Sequence, residues 1–256
     1  MAFPVCIGVL ALQGSYREHM TCLTKVGVQD VVEIRKPSQL EGVDGLIIPG
    51  GESTTMALIA QRWGMIDSLK EFAASGKPIW GTCAGLIFLA EEGEGMKEGG
   101  QVLLGGLHVR VHRNFFGSQI DSFECTLPAA AALGSDDGQP PQFRAIFIRA
   151  PAITSVKPSV EVLAEWVVPE AERAASGYDK VVVAVREKTL LATAFHPELT
   201  EDLRWHKLFA NMVDDHSGGA RSKADKTRAA DLCTIAVPTR PLDLPVFSQT
   251  HFSAPV

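Results

Sequence analysis

The first ninety residues alternate between short apolar runs and amphipathic stretches. The apolar runs have the length and continuity of strands that are buried on both faces of a parallel sheet. They are Val5–Leu12, Val31–Ile34, Gly45–Ile48 and Pro78–Thr82. The spacing of apolar residues predicts helices at Tyr16–Val26, Thr54–Gln61, Met65–Ser75 and Ala84–Glu92. Strands that alternate with helices imply right-handed crossovers and an α/β fold, with helices on both faces of the sheet.

The middle of the chain predicts strands without helices between them. These strands are His108–His112, Ser118–Thr126, Phe143–Ile148, Val160–Val168, Val181–Arg186 and Leu190–Phe195. A helix at Glu201–Asp214 follows. Segments rich in Gly, Pro, Ala or charge predict surface loops at 93–100, 128–142 and 169–179.

The chain changes character from Ser217 onward. It becomes polar and is then punctuated by prolines, without sustained periodicity. Such a segment cannot bury enough apolar surface to offset the entropy of ordering it. We therefore expect one domain at residues 1–216 and a disordered C-terminal tail at 217–256.

Charge and composition restrict the classes of function. The 256 residues are 46% hydrophobic, and 24 Lys and Arg against 30 Asp and Glu give a formal charge of −6. Without a basic block, nucleic acid is not an expected partner. No apolar run approaches the roughly 18 residues of a membrane span, and Met1–Pro4 has no signal-peptide character. Five scattered cysteines without a Cys-x-x-Cys pair fit neither a disulfide framework nor a zinc site, so we expect the cytosol and no metal.

One glycine-flanked cysteine lies between a predicted strand and a predicted helix. Gly81-Thr82-Cys83-Ala84-Gly85 has the Gly-x-nucleophile-x-Gly form of a nucleophile elbow. This turn would raise the thiol above the carboxyl end of the sheet, where a helix N-terminus favours thiolate and offers N–H groups to an oxyanion. A free cysteine is more often an inert core residue, but the strand–turn–helix context favours a nucleophile.

A cysteine nucleophile needs a base, and the base needs a group that orients it. His196 follows the apolar strand Leu190–Phe195 and precedes Pro197-Glu198. Pro197 disfavours a helical conformation at His196, and in an extended segment Glu198 would lie on the same side as the imidazole. A strand-end histidine with a surface glutamate is the alternative when the segment is considered alone.

A Gly-Gly loop follows the third predicted strand. The string Ile48–Thr55 opens a helix and could supply backbone N–H groups that face the thiol. It lacks the Gly-Lys-Ser/Thr and Gly-x-Gly-x-x-Gly patterns of phosphate sites. A plain turn with a Ser/Thr cap remains the alternative.

Two polar segments each place an arginine beside an apolar or aromatic stretch. They are Val111–Ser118, which contains Arg113, and Phe147–Pro151, which contains Arg149. An arginine can hold a carboxylate through two hydrogen bonds, which suits an amino-acid substrate.

Taken in order, these motifs resemble the class I, triad-type glutamine amidotransferases, and within them the glutaminase subunits of pyridoxal 5'-phosphate synthase. Six strings carry the resemblance across Val5 to Asp215. They are Gly8–Gly14, Pro49–Met56, Gly81–Leu86, Arg113–Gly117, Phe147–Pro151 and Phe195–Thr200. The resemblance implies a three-layer α/β/α sandwich with a mostly parallel, flavodoxin-like sheet.

The resemblance also assigns residues. It implies Cys83 as nucleophile, His196 as general base and acid, and Glu198 as the residue that orients His196. Gly51 and the N–H of Ala84 would form the oxyanion hole. The positions that match the glutamine-binding residues of the family are Gly51, Glu52, Ser53, Arg113, Ile148 and Arg149. Gln13 matches a residue near the subunit interface that helps to organise the oxyanion site.

The expected partner is the TIM-barrel synthase subunit, in a large hetero-oligomer that uses the ammonia from L-glutamine. No cofactor is expected in this chain, and neither nucleic acid nor a membrane is an expected partner. The tail from Ser217 and the long loops depart from compact members of the family. Three alternatives stay open: a glutaminase subunit of another biosynthetic amidotransferase, a cysteine hydrolase or peptidase of related fold, and a regulatory subunit with a vestigial pocket.

Overall fold

A ten-stranded sheet forms the centre of the computed structural model, which describes residues 2–95, 101–115, 122–134 and 141–218. The strands are Phe3–Leu10 (β1), Val28–Ile34 (β2), Gly45–Ile48 (β3), Ile79–Thr82 (β4), Ala90–Glu94 (β5), Leu107–His112 (β6), Ser122–Pro128 (β7), Gln142–Ile148 (β8), Ala152–Val156 (β9), Glu161–Val167 (β10), Lys180–Glu187 (β11) and Leu190–Thr193 (β12). The helices are Tyr16–Val26 (α1), Ser53–Arg62 (α2), Met65–Ala74 (α3), Ala84–Leu89 (α4), Glu170–Ser176 (α5) and Arg204–Ser217 (α6). Short 3-10 helices occupy Pro37–Leu40, Ala131–Leu133 and Pro197–Leu199.

The sheet has a parallel half and a mixed half. Its strand order is β2-β1-β3-β4-β12-β11-β9-β6-β5, and β10 pairs with β11. The first five strands in this order, β2 to β12, are parallel to one another. The pairs β12–β11, β11–β9 and β9–β6 are antiparallel, and β6–β5 is parallel again. A separate antiparallel pair is formed by β7 and β8.

Helices cover the parallel half on both faces. The crossover from β1 to β2 runs in the opposite direction along the sheet to the crossover from β3 to β4, so right-handed connections place their helices on opposite faces. Accordingly, α1 and α6 pack on each other and on β1, whereas α2 packs on α3 and α4. β3 and β4 are buried throughout, as strands covered on both faces should be. The predicted α/β fold with a mostly parallel sheet is confirmed.

The predicted helix Ala84–Glu92 is wrong at its C-terminal end. The helix ends at Leu89, and Ala90–Glu94 forms β5 beside β6. All six residues of α4 are buried, whereas Glu92 and Glu94 reach across to Arg110 on β6 at 2.6 and 3.5 Å. Strand pairing with β6 therefore overrides the local preference of the acidic segment for helix.

Other boundaries also differ from the prediction. Strand β9, at Ala152–Val156, was missed, and α5 lies within the predicted loop 169–179. Helix α6 begins later than predicted and includes Ser217, which the sequence assigned to the tail. The start of the predicted strand Ser118–Thr126, much of the loops 93–100 and 128–142, and the chain from residue 219 lie outside the described residues.

Candidate active site

Cys83 occupies a strained turn between β4 and α4. Its backbone has φ 48° and ψ −100°, a left-handed φ that non-glycine residues rarely adopt. The Cys83 N–H donates to the carbonyl of Thr193 at 2.8 Å, which fixes the turn to the end of β12. The side chain is almost buried, and Sγ lies 4.0 Å from the carbonyl oxygen of Ile148. Strain of this kind persists only where the surroundings enforce it, and it concentrates at functional sites.

His196 reaches the same edge of the sheet from the neighbouring strand. Because β12 is parallel to β4, with Thr193 beside Thr82, the residues that follow both strands emerge together. The His196 N–H donates to the carbonyl of Ile146 at 2.8 Å. Its Nδ1 lies 2.7 Å from Oε1 of Glu198, and both side chains are buried.

The conformation after His196 differs from the predicted extended segment. Pro197–Leu199 forms a 3-10 turn, so the alternation of an extended strand does not bring the two side chains together. The turn itself folds Glu198 back toward the imidazole. The predicted contact between His196 and Glu198 exists, but the predicted extended conformation of the segment is wrong.

The buried pair is strongly polarised. Burial lowers the pKa of His196, but hydrogen bonds and charge from Cys83 and Glu198 outweigh it and raise the pKa to about 10. Burial likewise raises the pKa of Glu198, but the nearby His19 and the bonds from His196 and Ser15 lower it to about 2. Glu198 is therefore ionised and His196 holds a proton at neutral pH. That state can give a proton to a leaving group.

The Gly-Gly loop packs tightly against His196 and Cys83. A Cβ atom added to Gly50 would lie 2.3 Å from Cε1 of His196 and 3.3 Å from Cβ of Cys83. One added to Gly51, whose φ is 153°, would lie 2.1 Å from Oε1 of Gln13. Neither position can therefore carry a side chain without displacing the site.

Two hydrogen bonds join the Gly-Gly loop to the loop before α1. Oε1 of Gln13 accepts from the N–H of Glu52 at 2.9 Å. The N–H of Ser15 donates to the carbonyl of Gly50 at 3.2 Å. These two bonds tie the Gly-Gly loop to the loop before α1.

A cavity of about 450 Å³ opens above the thiol. Most of the residues predicted for catalysis and binding line it, namely Gly51, Glu52, Ser53, Cys83, Ala84, Arg113, Ile148, Arg149 and His196. Glu198 and Gln13 are not in this lining: Glu198 holds His196, and Gln13 holds the Gly-Gly loop. Besides Cys83, the lining residues Asn114 and Arg149 have left-handed φ values of 51° and 42°.

An arginine and a glutamate form a pair in the cavity wall. Nη2 of Arg113 lies 3.2 Å from Oε1 of Glu52, and Nη1 donates to the Thr54 hydroxyl at 3.2 Å. Glu52 also caps α2 by accepting from the N–H groups of Thr54 and Thr55. Partial burial raises the pKa of Glu52, but the bonds from Thr55 and Thr54 lower it to about 2. The wall thus presents a fixed cation and a fixed anion together.

Sequence reasoning missed four polar residues at or behind the site. They are Ser15, His19, Gln101 and His206. Ser15 donates to Glu198, and Gln101 accepts from the Ser53 hydroxyl at 3.1 Å. The available signal was His19, which lies on the buried face of α1 with Cys22 and Leu23, where an apolar residue is usual.

Two further classes of site are not found within the described residues. No group of three or more His, Cys, Asp or Glu side chains there could hold a metal ion. None of the helices described is both long and apolar enough to cross a bilayer.

Comparison with known proteins places this geometry in a family. Residues 9–215 match the SNO glutamine amidotransferase family. A protein described as probable pyridoxal 5'-phosphate synthase subunit PDX2 of Arabidopsis thaliana is 52% identical, over 94% of this chain and 99% of its own length. The pyridoxal 5'-phosphate synthase subunit PdxT of Carboxydothermus hydrogenoformans is 44% identical, over 81% of this chain and 97% of its own.

The plant relative therefore aligns beyond the region that matches the family, into the C-terminal segment. Among solved structures, one described as a glutamine amidotransferase is 40% identical with a TM-score of 0.66, over 81% of this chain and 98% of its own. A putative GMP synthase subunit from Thermoplasma acidophilum, 19% identical with a TM-score of 0.55, shares the fold. This chain belongs to the SNO glutamine amidotransferase family.

Proposed function

We propose that this chain is the glutaminase subunit of a pyridoxal 5'-phosphate synthase, hydrolysing L-glutamine to L-glutamate and ammonia. The observation that carries the proposal is the cavity in which Cys83 and His196 meet, with Glu198 2.7 Å behind the imidazole. The names of the plant and bacterial relatives support the choice of synthase. They favour it over another amidotransferase. The intact Cys, His and Glu argue against a vestigial pocket.

The chemistry follows from the positions of these side chains. The thiolate of Cys83 attacks the side-chain amide carbon of glutamine, forming an S–C bond and an oxyanion. N–H groups of Gly51 and Ala84 would hold that oxyanion. As the C–N bond breaks, protonated His196 gives its proton to the nitrogen, which leaves as ammonia. A water that loses a proton to His196 then attacks the thioester, the C–S bond breaks, and glutamate leaves.

The substrate's own charges fit the cavity wall. A free amino acid carries an α-carboxylate and an α-ammonium group, and the wall offers Arg113 beside Glu52. Arg113 can bind the carboxylate and Glu52 the ammonium. Ser53, Ile148 and Arg149 complete the proposed binding surface. A peptide substrate would lack one or both free charges, which disfavours a peptidase.

The proposed partner is the TIM-barrel synthase subunit, in a large hetero-oligomer in the cytosol. The deciding experiment mixes the full chain with purified synthase, glutamine, a pentose phosphate and a triose phosphate. Pyridoxal 5'-phosphate should form with glutamine as the only nitrogen source, and Cys83→Ala should abolish this while ammonia still supports synthesis. Glutamine hydrolysis without any transfer to the synthase would instead indicate a different acceptor enzyme.

A further inference from the structure

Two fully buried histidines lie behind the triad, and the mechanism above does not use them. His19 on α1 and His206 on α6 have no exposed surface. Nδ1 of His19 lies 3.0 Å from Nε2 of His206. Nε2 of His19 lies 3.2 Å from the Thr82 hydroxyl and 3.4 Å from Oε2 of Glu198. The two rings pack against the indole of Trp80 at centroid distances of 5.4 and 4.9 Å.

Glu198 has one well-bonded and one poorly bonded oxygen. Oε1 accepts from His196 and from the Ser15 hydroxyl at 2.7 and 2.6 Å. Oε2 is buried and has no hydrogen bond within the described residues, although His19 approaches it at 3.4 Å. A buried carboxylate oxygen without a donor is costly, so an N–H directed at it would matter.

The tautomer of His19 follows from counting donors. If the proton of His19 is on Nδ1, that N–H donates to Nε2 of His206. The proton of His206 is then on its Nδ1, a buried N–H without a partner among the described residues, and the lone pair of His19 Nε2 faces Glu198. If its proton is on Nε2, the N–H faces Glu198 and Thr82, and Nδ1 accepts from His206. Only an acceptor on His206 is then unpaired. The second arrangement avoids both a bare buried donor and a lone pair against a carboxylate.

We propose that His19 is a positioning residue of the triad: its neutral imidazole turns the Nε2–H toward both Thr82 and Oε2 of Glu198, and His206 fixes that tautomer. Burial lowers the pKa of His19 and of His206 from the ordinary imidazole value, so both are neutral at pH 7. The neutral N–H of His19 can donate to the Glu198 carboxylate without forming a second ion pair. The negative charge of Glu198 is then available to stabilise the imidazolium of His196. The inference rests on the proposed function, because it deepens the account of the same site.

Several other titratable or polar groups lie near Glu198 and His19 and must be considered when the site is titrated with pH. Ser15 lies just before α1, and Glu18, His19, Cys22 and Lys25 lie on it. The others are Thr82, Cys83, His196 and His206. The Cys22 thiol donates to the backbone carbonyl of Glu198 at 3.9 Å, and burial raises its pKa to about 11. Below about pH 9, Cys22 is thus a thiol, and mass-spectrometric mapping of the modified peptides separates the alkylation of Cys83 from that of the other four cysteines.

The test measures the rate of Cys83 alkylation by iodoacetamide against pH, in the full-length free chain. The imidazolium of His196 that faces Cys83 is stabilised by Glu198, which must stay within hydrogen-bond distance of Nδ1. His19→Leu removes the N–H, so the midpoint should rise by about 0.5 to 1 pH unit, a three- to tenfold slower reaction at low pH. His19→Gln, whose amide N–H can reach a similar position, should restore at least half of the shift.

Two further variants keep the result interpretable. Thr82→Val leaves the His19 N–H to Glu198 alone, so the midpoint should stay at the wild-type value or fall. His108→Leu is the matched control, because it breaks another histidine–glutamate pair, His108–Glu187 at 2.7 Å, away from the cavity lining. The midpoint should not change.

The inference is overturned if folded His19→Leu titrates like the wild type, or if Thr82→Val raises the midpoint. If His19→Leu does not fold, His19→Asn takes its place, because the shorter amide cannot reach the position of Nε2. A midpoint that is higher in His19→Asn than in His19→Gln supports the inference, and equal midpoints overturn it. Because alkylation needs no glutamine, these results can be told apart from a failure of the proposed function, which would show as a wild-type complex that hydrolyses no glutamine or passes no ammonia to the synthase.

Discussion

Ser15 donates its hydroxyl to Oε1 of Glu198 at 2.6 Å, across 183 positions of sequence. The backbone N–H of Ser15 donates to the carbonyl of Gly50. Ser15 therefore ties Glu198 to the Gly-Gly loop. Ser15 is also the residue before α1, yet its hydroxyl does not cap that helix. The Ser15 hydroxyl therefore bonds to a residue of the site and does not stabilise α1.

Replacing Ser15 by Ala should therefore impair catalysis more than folding. A hydrogen bond to a charged group contributes about 1.5–3 kcal/mol, so we expect kcat for glutamine hydrolysis in the complex to fall roughly tenfold. Ser75→Ala is the matched control, because its hydroxyl bonds to the Phe72 carbonyl at the end of α3, away from the site. Equal kcat values for the two variants would show that Ser15 does not support Glu198.

The cysteines should differ sharply in reactivity. An electrophilic glutamine analogue should label Cys83, and Cys83→Ala or Cys83→Ser should abolish glutamine hydrolysis with the fold retained. Cys6 is fully buried, and burial raises the pKa of Cys22 and Cys125 to about 11. Mass-spectrometric mapping is the measurement, with Cys125→Ala as an active control. Labelling of Cys6, Cys22, Cys125 or Cys233 in place of Cys83 would contradict the assignment.

Glutamine hydrolysis should persist to alkaline pH. Burial lowers the pKa of His196, but contacts with Cys83 and Glu198 raise it to about 10, so the proton needed by the leaving ammonia is lost only as pH rises through 10. Glu198→Gln removes the negative charge, and the alkaline limb of kcat against pH should move down by at least one unit. An unmoved limb in that variant would show that another group controls it.

His196 and Glu198 each stabilise the fold, and each loses its contribution at a different end of the pH range. The raised pKa of His196 stabilises the fold below its unfolded value near 6.5, and this contribution is lost as pH rises through about 10. Burial raises the pKa of Glu198, but His19, His196 and Ser15 lower it to about 2, so its contribution is present above about 4.5 and lost as pH falls through 2. The free energy of unfolding should fall less between pH 5 and 2 in Glu198→Gln than in the wild type. Equal losses in urea titrations would contradict this.

Binding of the synthase should activate the glutaminase. The Gln13 side chain holds the N–H of Glu52, so the loop before α1 and the proposed oxyanion loop move together. Loss of one oxyanion donor costs about 10²–10³ in rate, so a displaced Gly51 would leave the free chain slow. The measurement is kcat with and without synthase, for the wild type and Gln13→Ala. A free chain as fast as the complex would exclude gating and leave the triad unaffected.

Removal of residues 219–256 should leave kcat and Tm nearly unchanged. Helix α6 continues to Ser217, so a cut after Gly218 preserves its C-terminal cap. The polar, aperiodic composition of the removed segment predicts no contribution to the core. A fall in Tm of more than about 5 °C would show that the segment packs on the domain.

The sequence alone determined the parallel half of the fold and most of the residues that line the cavity. Continuous apolar runs such as Gly45–Ile48 report burial on both faces directly, because nothing polar interrupts them. The Gly-x-Cys-x-Gly elbow and the His-x-Glu string are local, so their residue types and spacing can be read without tertiary contacts. The family resemblance then assigned distant residues such as Arg113 to the same site, and Arg113 lines the cavity.

Only the tertiary structure decided the features that depend on pairing partners. Ala90–Glu94 becomes a strand because β6 lies beside it with Arg110 to receive its carboxylates. Ser15 and His206 carry no local sign of function, since each acts through an atom nearly two hundred positions away. The ionisation of Glu198 also depends on the burial and donors that surround it, and no spacing rule encodes those. Local patterns specify which groups are available, and long-range packing decides which of them meet.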